Sequence, residues 1–182
     1  MWFMCSIKTM ASSFTIAGSH GQDCYQVSTV PDVAERLALR HAGGGQLAVI
    51  VRDAVSHGFE VLIAGERAAL VQLRGLINVQ CQVDTPDGSL VVRGEVLHGR
   101  YALGTSADIG ADPQVRVQRQ PATPPYGAKY QVGVDLADCE DPARFIATVL
   151  AIEHLCEDRR CNTGELQTGL RVLRQLLGIF GR

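Results

Sequence analysis

Lysine is nearly missing from this sequence: of 17 basic residues, only Lys8 and Lys129 are lysines. Against 19 acidic residues the net charge is −2, and no Lys/Arg stripe marks any segment. That balance argues against general nucleic-acid binding, which needs a basic excess facing the phosphates. The arginine surplus reads as GC-rich coding bias. No apolar run reaches ~18 residues, so no membrane-spanning helix is expected. The opening MWFMCSIKTM is too short an apolar run for a secretory leader, and its lysine follows that run instead of preceding it. A lipid-modified Cys5 would need a basic leader, and Met10 offers an alternative start. The G-x-S-x-G, H-E-x-x-H and C-x-x-C frames are all absent, as are both glycine-rich phosphate-binding frames.

What is present describes a folded chain. Hydrophobic residues make up 46% and charged residues 20%, enough apolar surface to offset the entropy of ordering. A length of 182 residues implies a single domain with one core, residues 1–12 being expected to be disordered. Six cysteines, at 5, 24, 81, 139, 156 and 161, are too diffusely spaced for a disulfide scaffold. Free thiols and a cytoplasmic location follow as the expectation.

Along the chain, SFTIAG (13–18) and CYQVS (24–28) read as short strands about a turn. Thr29, Pro31 and Asp32 look like a helix start, and the helix would stop at Gly43-Gly44-Gly45. The segment 46–57 fits a helix through Leu47, Ile50, Val51, Ala54 and Val55, and also fits a strand through Leu47, Val49 and Val51. The helix is preferred, because all five apolar residues fall on one face. FEVLIAG is then a buried strand, followed by a helix carrying Leu70, Leu73 and Ile77. From 78 to 105 the pattern is a three-stranded meander, VQCQVD, SLVVRGEVL and RYALGT, turning at Asp87-Gly88 and His98-Gly99. QVRVQR and KYQVGVDL add strands beyond it.

The last third predicts two helices. Asp141 caps, Pro142 takes the first helical position, and Phe145, Val149, Ile152 and Cys156 recur at 4-3-4 spacing. Asn162 and Glu165 suggest a second start, followed by Leu166, Leu170, Leu173, Leu177 and Phe180. Two narrow seams joined by a short loop predict an antiparallel helical hairpin.

Candidate chemistry is sparse. His154, Cys156 and Cys161, with Cys139 as the candidate fourth, are the nearest approach to a zinc set. His154 and Cys156, two apart on a helix, point roughly 200° apart, so packing is the better account of them. The turn Ile16–Gly21 resembles a phosphate-binding turn only loosely, since a strand follows it where a helix N-terminus is needed. Glu95, His98 and Arg100, with Arg93, cluster on one hairpin and are the weak catalytic candidates; a solvated ion pair is the bland alternative. Tyr126, Lys129 and Tyr130, on a Pro-rich approach to a strand, are candidate binding residues, as are Leu176 and Ile179 beside the last seam.

The fold expected is therefore α+β: a mostly antiparallel sheet, a helical layer over 31–42 and 46–77, and a C-terminal helical hairpin on one face. The function expected is a non-enzymatic binding, adaptor or regulatory protein without cofactor or metal. Its partner would be another protein or a second copy, with no nucleic-acid or membrane role. The alternatives are a small enzyme or ligand-binding domain using hairpin 93–100, and a structural component of a phage or secretion particle.

Overall fold

Between 13 and 136, short runs of β-branched and aliphatic residues alternate with turn residues, and this rhythm decides the architecture. A computed structural model of the chain describes residues 2–7, 13–18, 20–30, 36–75, 79–105, 113–121, 130–136 and 141–159. In it twelve strands pair antiparallel, each with its neighbour in sequence, until the last meets the first and the sheet closes into a barrel. The strands are β1 (Trp2–Ile7), β2 (Ser13–Gly18), β3 (Asp23–Thr29), β4 (Arg36–His41), β5 (Gln46–Asp53), β6 (Gly58–Ile63), β7 (Glu66–Arg74), β8 (Gln80–Thr85), β9 (Gly88–Glu95), β10 (Arg100–Gly104), β11 (Val115–Pro121) and β12 (Tyr130–Leu136). Closure leaves no sheet edge for another chain to pair with. β1 falls within the opening twelve residues that the sequence alone left outside the core.

Among the described residues a single α-helix, α1, covers 142–159. Its start is the one anticipated: Asp141 Oδ1 accepts from the Arg144 amide at 3.1 Å, and Pro142 needs no donor. The eight consecutive residues 146–153 are all buried. A helix lying on a sheet buries one stripe; burial around the whole circumference requires protein on every side. Its contacts come from all around the barrel. Arg144 reaches Asp87 at the β8–β9 turn, Phe59 of β6 lies 5.5 Å from the His154 ring, and Cys156 Sγ approaches the Val96 carbonyl at 3.7 Å. Arg52 of β5 pairs with Asp158, and Arg159 donates to the Gly75 carbonyl at the end of β7. The helix therefore threads the barrel from the rim of the β8–β9 turn to the opposite rim, where Arg159 is the last described residue. At ~1.5 Å per residue its 18 described residues run roughly 27 Å.

The core lies between the helix and the inner face of the strands. Val27, Leu39, Ile50, Phe59, Val61, Val71, Val83 and Leu103 point inward and meet Ile146, Val149, Leu150, Ile152 and Leu155. A barrel of this strand number is too wide for its own side chains to fill, and the helix supplies the missing volume.

The expected α+β fold is overturned. Residues 36–75 carry strands β4 to β7 and no helical layer, and 46–57, preferred as a helix, forms β5 and its turn. The reason is burial on both faces. Leu37, Ala38 and Leu39 are buried in succession, as are Ala48, Val49 and Ile50, so period-2 alternation disappears. The first C-terminal helix exists, but inside the barrel instead of on a face, so it cannot be half of a surface hairpin. The second seam, 166–180, lies outside the described residues.

Candidate functional site

Among the described residues, the one acidic side chain buried in the core sits on α1. Glu153 is 1% exposed in a buried run whose only other polar member is Thr148. An ionised group there must be paired or hydrogen-bonded. Two strands supply partners. Tyr101, near the start of β10, donates its hydroxyl to Glu153 Oε1 at 3.1 Å. Arg119 of β11 pairs through Nη2 with Glu153 Oε2. Burial is the main reason the Tyr101 hydroxyl keeps its proton far above the usual phenol range, and the neighbouring Glu153 charge adds to it. The phenol is thus a permanent donor to the carboxylate.

Backbone geometry aims both partners. Gly94 (φ 117°) faces Tyr101 across the β9–β10 ladder, and a Cβ there would stand 2.4 Å from the Arg100 carbonyl oxygen. After β9 comes a 3-10 turn, η1 (Val96–His98), closed by Gly99 in the left-handed region at φ 67°. The Arg119 amide donates to the Gly99 carbonyl at 2.7 Å. A Cβ on Gly99 would lie 2.5 Å from Arg119 Cβ and 2.9 Å from its Nε. Gly99 is the gap through which Arg119 passes inward to Glu153.

The hairpin residues singled out from the sequence stand outside this clasp. Arg100 and Glu95 are register partners on the outer face and form an exposed ion pair. His98 is exposed at the end of η1. Arg93 also points outward, beside Ala102. The hairpin thus brings Glu95 to Arg100 and leaves the interior chemistry to Tyr101, Arg119 and Glu153, which sequence reasoning missed. Glu153 amid FIATVLAIEHLC was the available signal; its partners, 34 and 52 residues away, were not.

His154 is exposed, while Cys156 is fully buried against Val96, so the two diverge. Cys161 and Cys139 lie outside the described residues. Among the described residues no three His, Cys, Asp or Glu side chains gather as metal ligands. Cys24, Cys81 and Cys156 are free thiols, and burial pushes the Cys81 thiol far up. In the turn after β2, the Gly18 amide donates to the Gln22 carbonyl and the Gly21 amide to the Gly18 carbonyl; those donors are spent on the chain itself. Tyr126, Lys129, Leu176 and Ile179 lie outside the described residues; Tyr130 opens β12, its backbone paired with Ile7 and Pro121. No helix among the described residues is long and apolar enough to cross a membrane.

The fold and this clasp define a class, the closed antiparallel barrel filled by its own helix. No protein-family model matches the chain, and no curated protein matches it. Among solved structures, the X-ray structure of a protein from Arabidopsis thaliana is similar, with a TM-score of 0.56 at 13% sequence identity over 83% of this chain and 88% of that one. At that identity the likeness is one of fold.

Proposed function

We propose that this chain is a non-enzymatic binding or adaptor protein that works through its outer wall on another protein or a second copy of itself. The observation that carries the reading is the fate of the barrel lumen. In wide barrels the interior is where a ligand sits, and here α1 occupies it. The interior groups with chemical potential, Glu153, Arg119 and Tyr101, are bonded to one another. A clasp of this kind fixes the helix and presents no reacting atom to a substrate.

The docking face is the wall of β9 to β11. Arg93, Ala102 and Arg116 form one outward row by register, with Glu95 and Arg100 in the next. Arg93 and Arg116 are exposed on either side of Ala102. Two strand spacings separate them, roughly 10 Å, a span suited to two acidic groups or carbonyls flanking a small apolar contact. Arginine rows of this kind favour protein partners with carboxylates in matching positions. The free thiols Cys24, Cys81 and Cys156 support a reducing, cytoplasmic setting.

Native mass spectrometry of the complex isolated from its own cells, for the natural chain and for Arg93→Glu with Arg116→Glu, tests this reading. The expected result is a stoichiometric protein partner or second copy, lost in the variant. A small molecule retained by both chains, with no protein partner in either, contradicts it.

A further inference from the structure

The arginine row on the outer wall continues past β9. Leu73 and Cys81 are partners on β7 and β8 and face the core, so Arg74 and its partner Gln80 face out. Carried two pairs beyond Gln82–Val91, the β8–β9 register sets Gln80 beside Arg93. Arg93 pairs with Ala102, Ala102 with Arg116, and Arg116 with Asp135 of β12. One outward row therefore crosses six adjacent strands as Arg74, Gln80, Arg93, Ala102, Arg116 and Asp135. All three arginines are exposed, and Ala102 is half-buried between two of them. The flanking rows carry little net charge. Gln72, Gln82, Val91 and Gly104 stand on one side, and the Glu95–Arg100 ion pair on the other. Arginines on every second strand, at ~4.8 Å per strand, repeat at roughly 10 Å and span roughly 19 Å.

Resting on the outer-wall reading above, we propose that this row binds an acidic protein segment in the polyproline II conformation, with a carboxylate at every third residue. Repeat distance selects that conformation. Polyproline II has three residues per turn and rises ~3.1 Å for each, so residues i, i+3 and i+6 share one face at intervals of ~9.3 Å. Over the whole row the mismatch stays below about 1 Å. A β-strand turns every second residue to one face, at ~6.7 or ~13 Å, and misses the middle arginine. A helix returns after seven residues, at ~10.5 Å, but drifts by ~20° each time. Its third carboxylate is then about 2 Å and 40° out of line. Guanidinium groups suit the task, since each can hold a carboxylate bidentately. Arg74 gives one hydrogen bond to Gln72 at 3.3 Å, and a guanidinium has five N–H donors. Ala102 leaves a low point between two arginine stems for the proline rings of such a segment. Asp135 closes the row at β12 and requires a neutral or basic partner residue there.

The test is binding of labelled peptides to the full chain, read by fluorescence anisotropy at low ionic strength. One peptide is a run of Glu-Pro-Pro repeats long enough to cover the row. The second is its isomer with all the glutamates at one end, and the third is a helical peptide with glutamates seven residues apart. The repeat should bind about tenfold more tightly than either of the others. Arg93→Gln and Arg74→Gln should each weaken it about threefold while the melting temperature stays unchanged. Glu95→Gln with Arg100→Gln, in the next row, should leave its affinity within about twofold. Equal binding of repeat and isomer, or an equal loss in the next row, means diffuse charge attraction and overturns the proposal. Tighter binding of the helical peptide, tighter binding of an oligonucleotide of equal charge, or no binding at all overturns it too. The broader outer-wall reading survives any of these if native mass spectrometry still finds a protein partner that is lost with Arg93→Glu and Arg116→Glu. If that partner is absent as well, both fall.

Discussion

On the outside of β4 and β5 stand Ala38 and Val49, shielded from water; on the outside of β9 to β11 stand Arg93, Glu95, Arg100 and Arg116, open to it. Inside, the two sides differ again. The β5–β6 side meets the buried stretch of the helix with Ile50, Phe59 and Val61, all apolar, and adds a charge contact only at the rim, Arg52 to Asp158, while the β10–β11 side meets it with the Tyr101–Glu153–Arg119 clasp. The same antiparallel ladder supports both. Backbone pairing is indifferent to what the side chains do, so one wall can be given to packing and the other to display. Nonspecific apolar contacts hold the helix in the barrel. The clasp, which is directional, adds a preferred depth and rotation.

Substitutions on the two inner sides should expose that difference. Phe59→Ala, emptying a ring that is 1% exposed, should cost about 3–5 kcal/mol in chemical denaturation. Glu153→Ala should cost a similar ~3–5 kcal/mol, because it strands the Arg119 guanidinium, whose side chain is 12% exposed. The two then part company. Arg119→Met with Glu153→Leu should recover most of the loss, since a well-packed apolar pair replaces a buried ion pair at little cost. No single neighbouring change rescues Phe59→Ala. If the double variant is as unstable as Glu153→Ala, the clasp does more than compensate its own burial.

Smaller effects probe the corner joining clasp to display wall. Gly99→Ala should cost about 1–3 kcal/mol, combining a left-handed backbone with a Cβ pressed on Arg119. A neutral result would mean that Arg119 has another route inward. On the display wall, Arg93→Glu should change stability by no more than about 0.5 kcal/mol while weakening partner binding. A large loss of stability there would show that wall to be structural.

Two titrations give the smallest signals. Among the described thiols, reagents at mildly alkaline pH should modify Cys24 first and leave Cys81 untouched in the native chain, since burial keeps the Cys81 thiol protonated. Hydrogen bonds from Gln82 and Ser89 hold the Asp84 carboxyl below its ordinary value of 3.8. The folded chain thus favours the anion. This contribution is complete above about pH 4 and is lost as pH falls through the lower folded value. Asp84→Asn should flatten that part of the acid titration slightly, the group being largely solvated.

Legibility in the sequence followed the same division between walls. Strands with an open outer face, such as VQCQVD, RYALGT and QVRVQR, kept their alternation and were readable. RLALRH and QLAVIVRD, buried on both faces, lost it and resembled helices. The run FIATVLAIEHLC carried the cap and the helical period. Its apolar residues on every side, Ile146, Ala147, Leu150, Ala151 and Leu155 beyond the named seam, marked a helix buried all round. Reading only the 4-3-4 stripe assigned it one face. The clasp was hidden because its three members meet only once the barrel closes.

The central claim is that α1 occupies the lumen, and hydrogen exchange read by peptide mass tests it most directly. Amides of 146–156 should exchange only through global unfolding, together with β5, β6 and β10, as the slowest set in the chain. Exchange of 146–156 by local opening, while those strands stay protected, would place the helix outside the barrel and contradict the account.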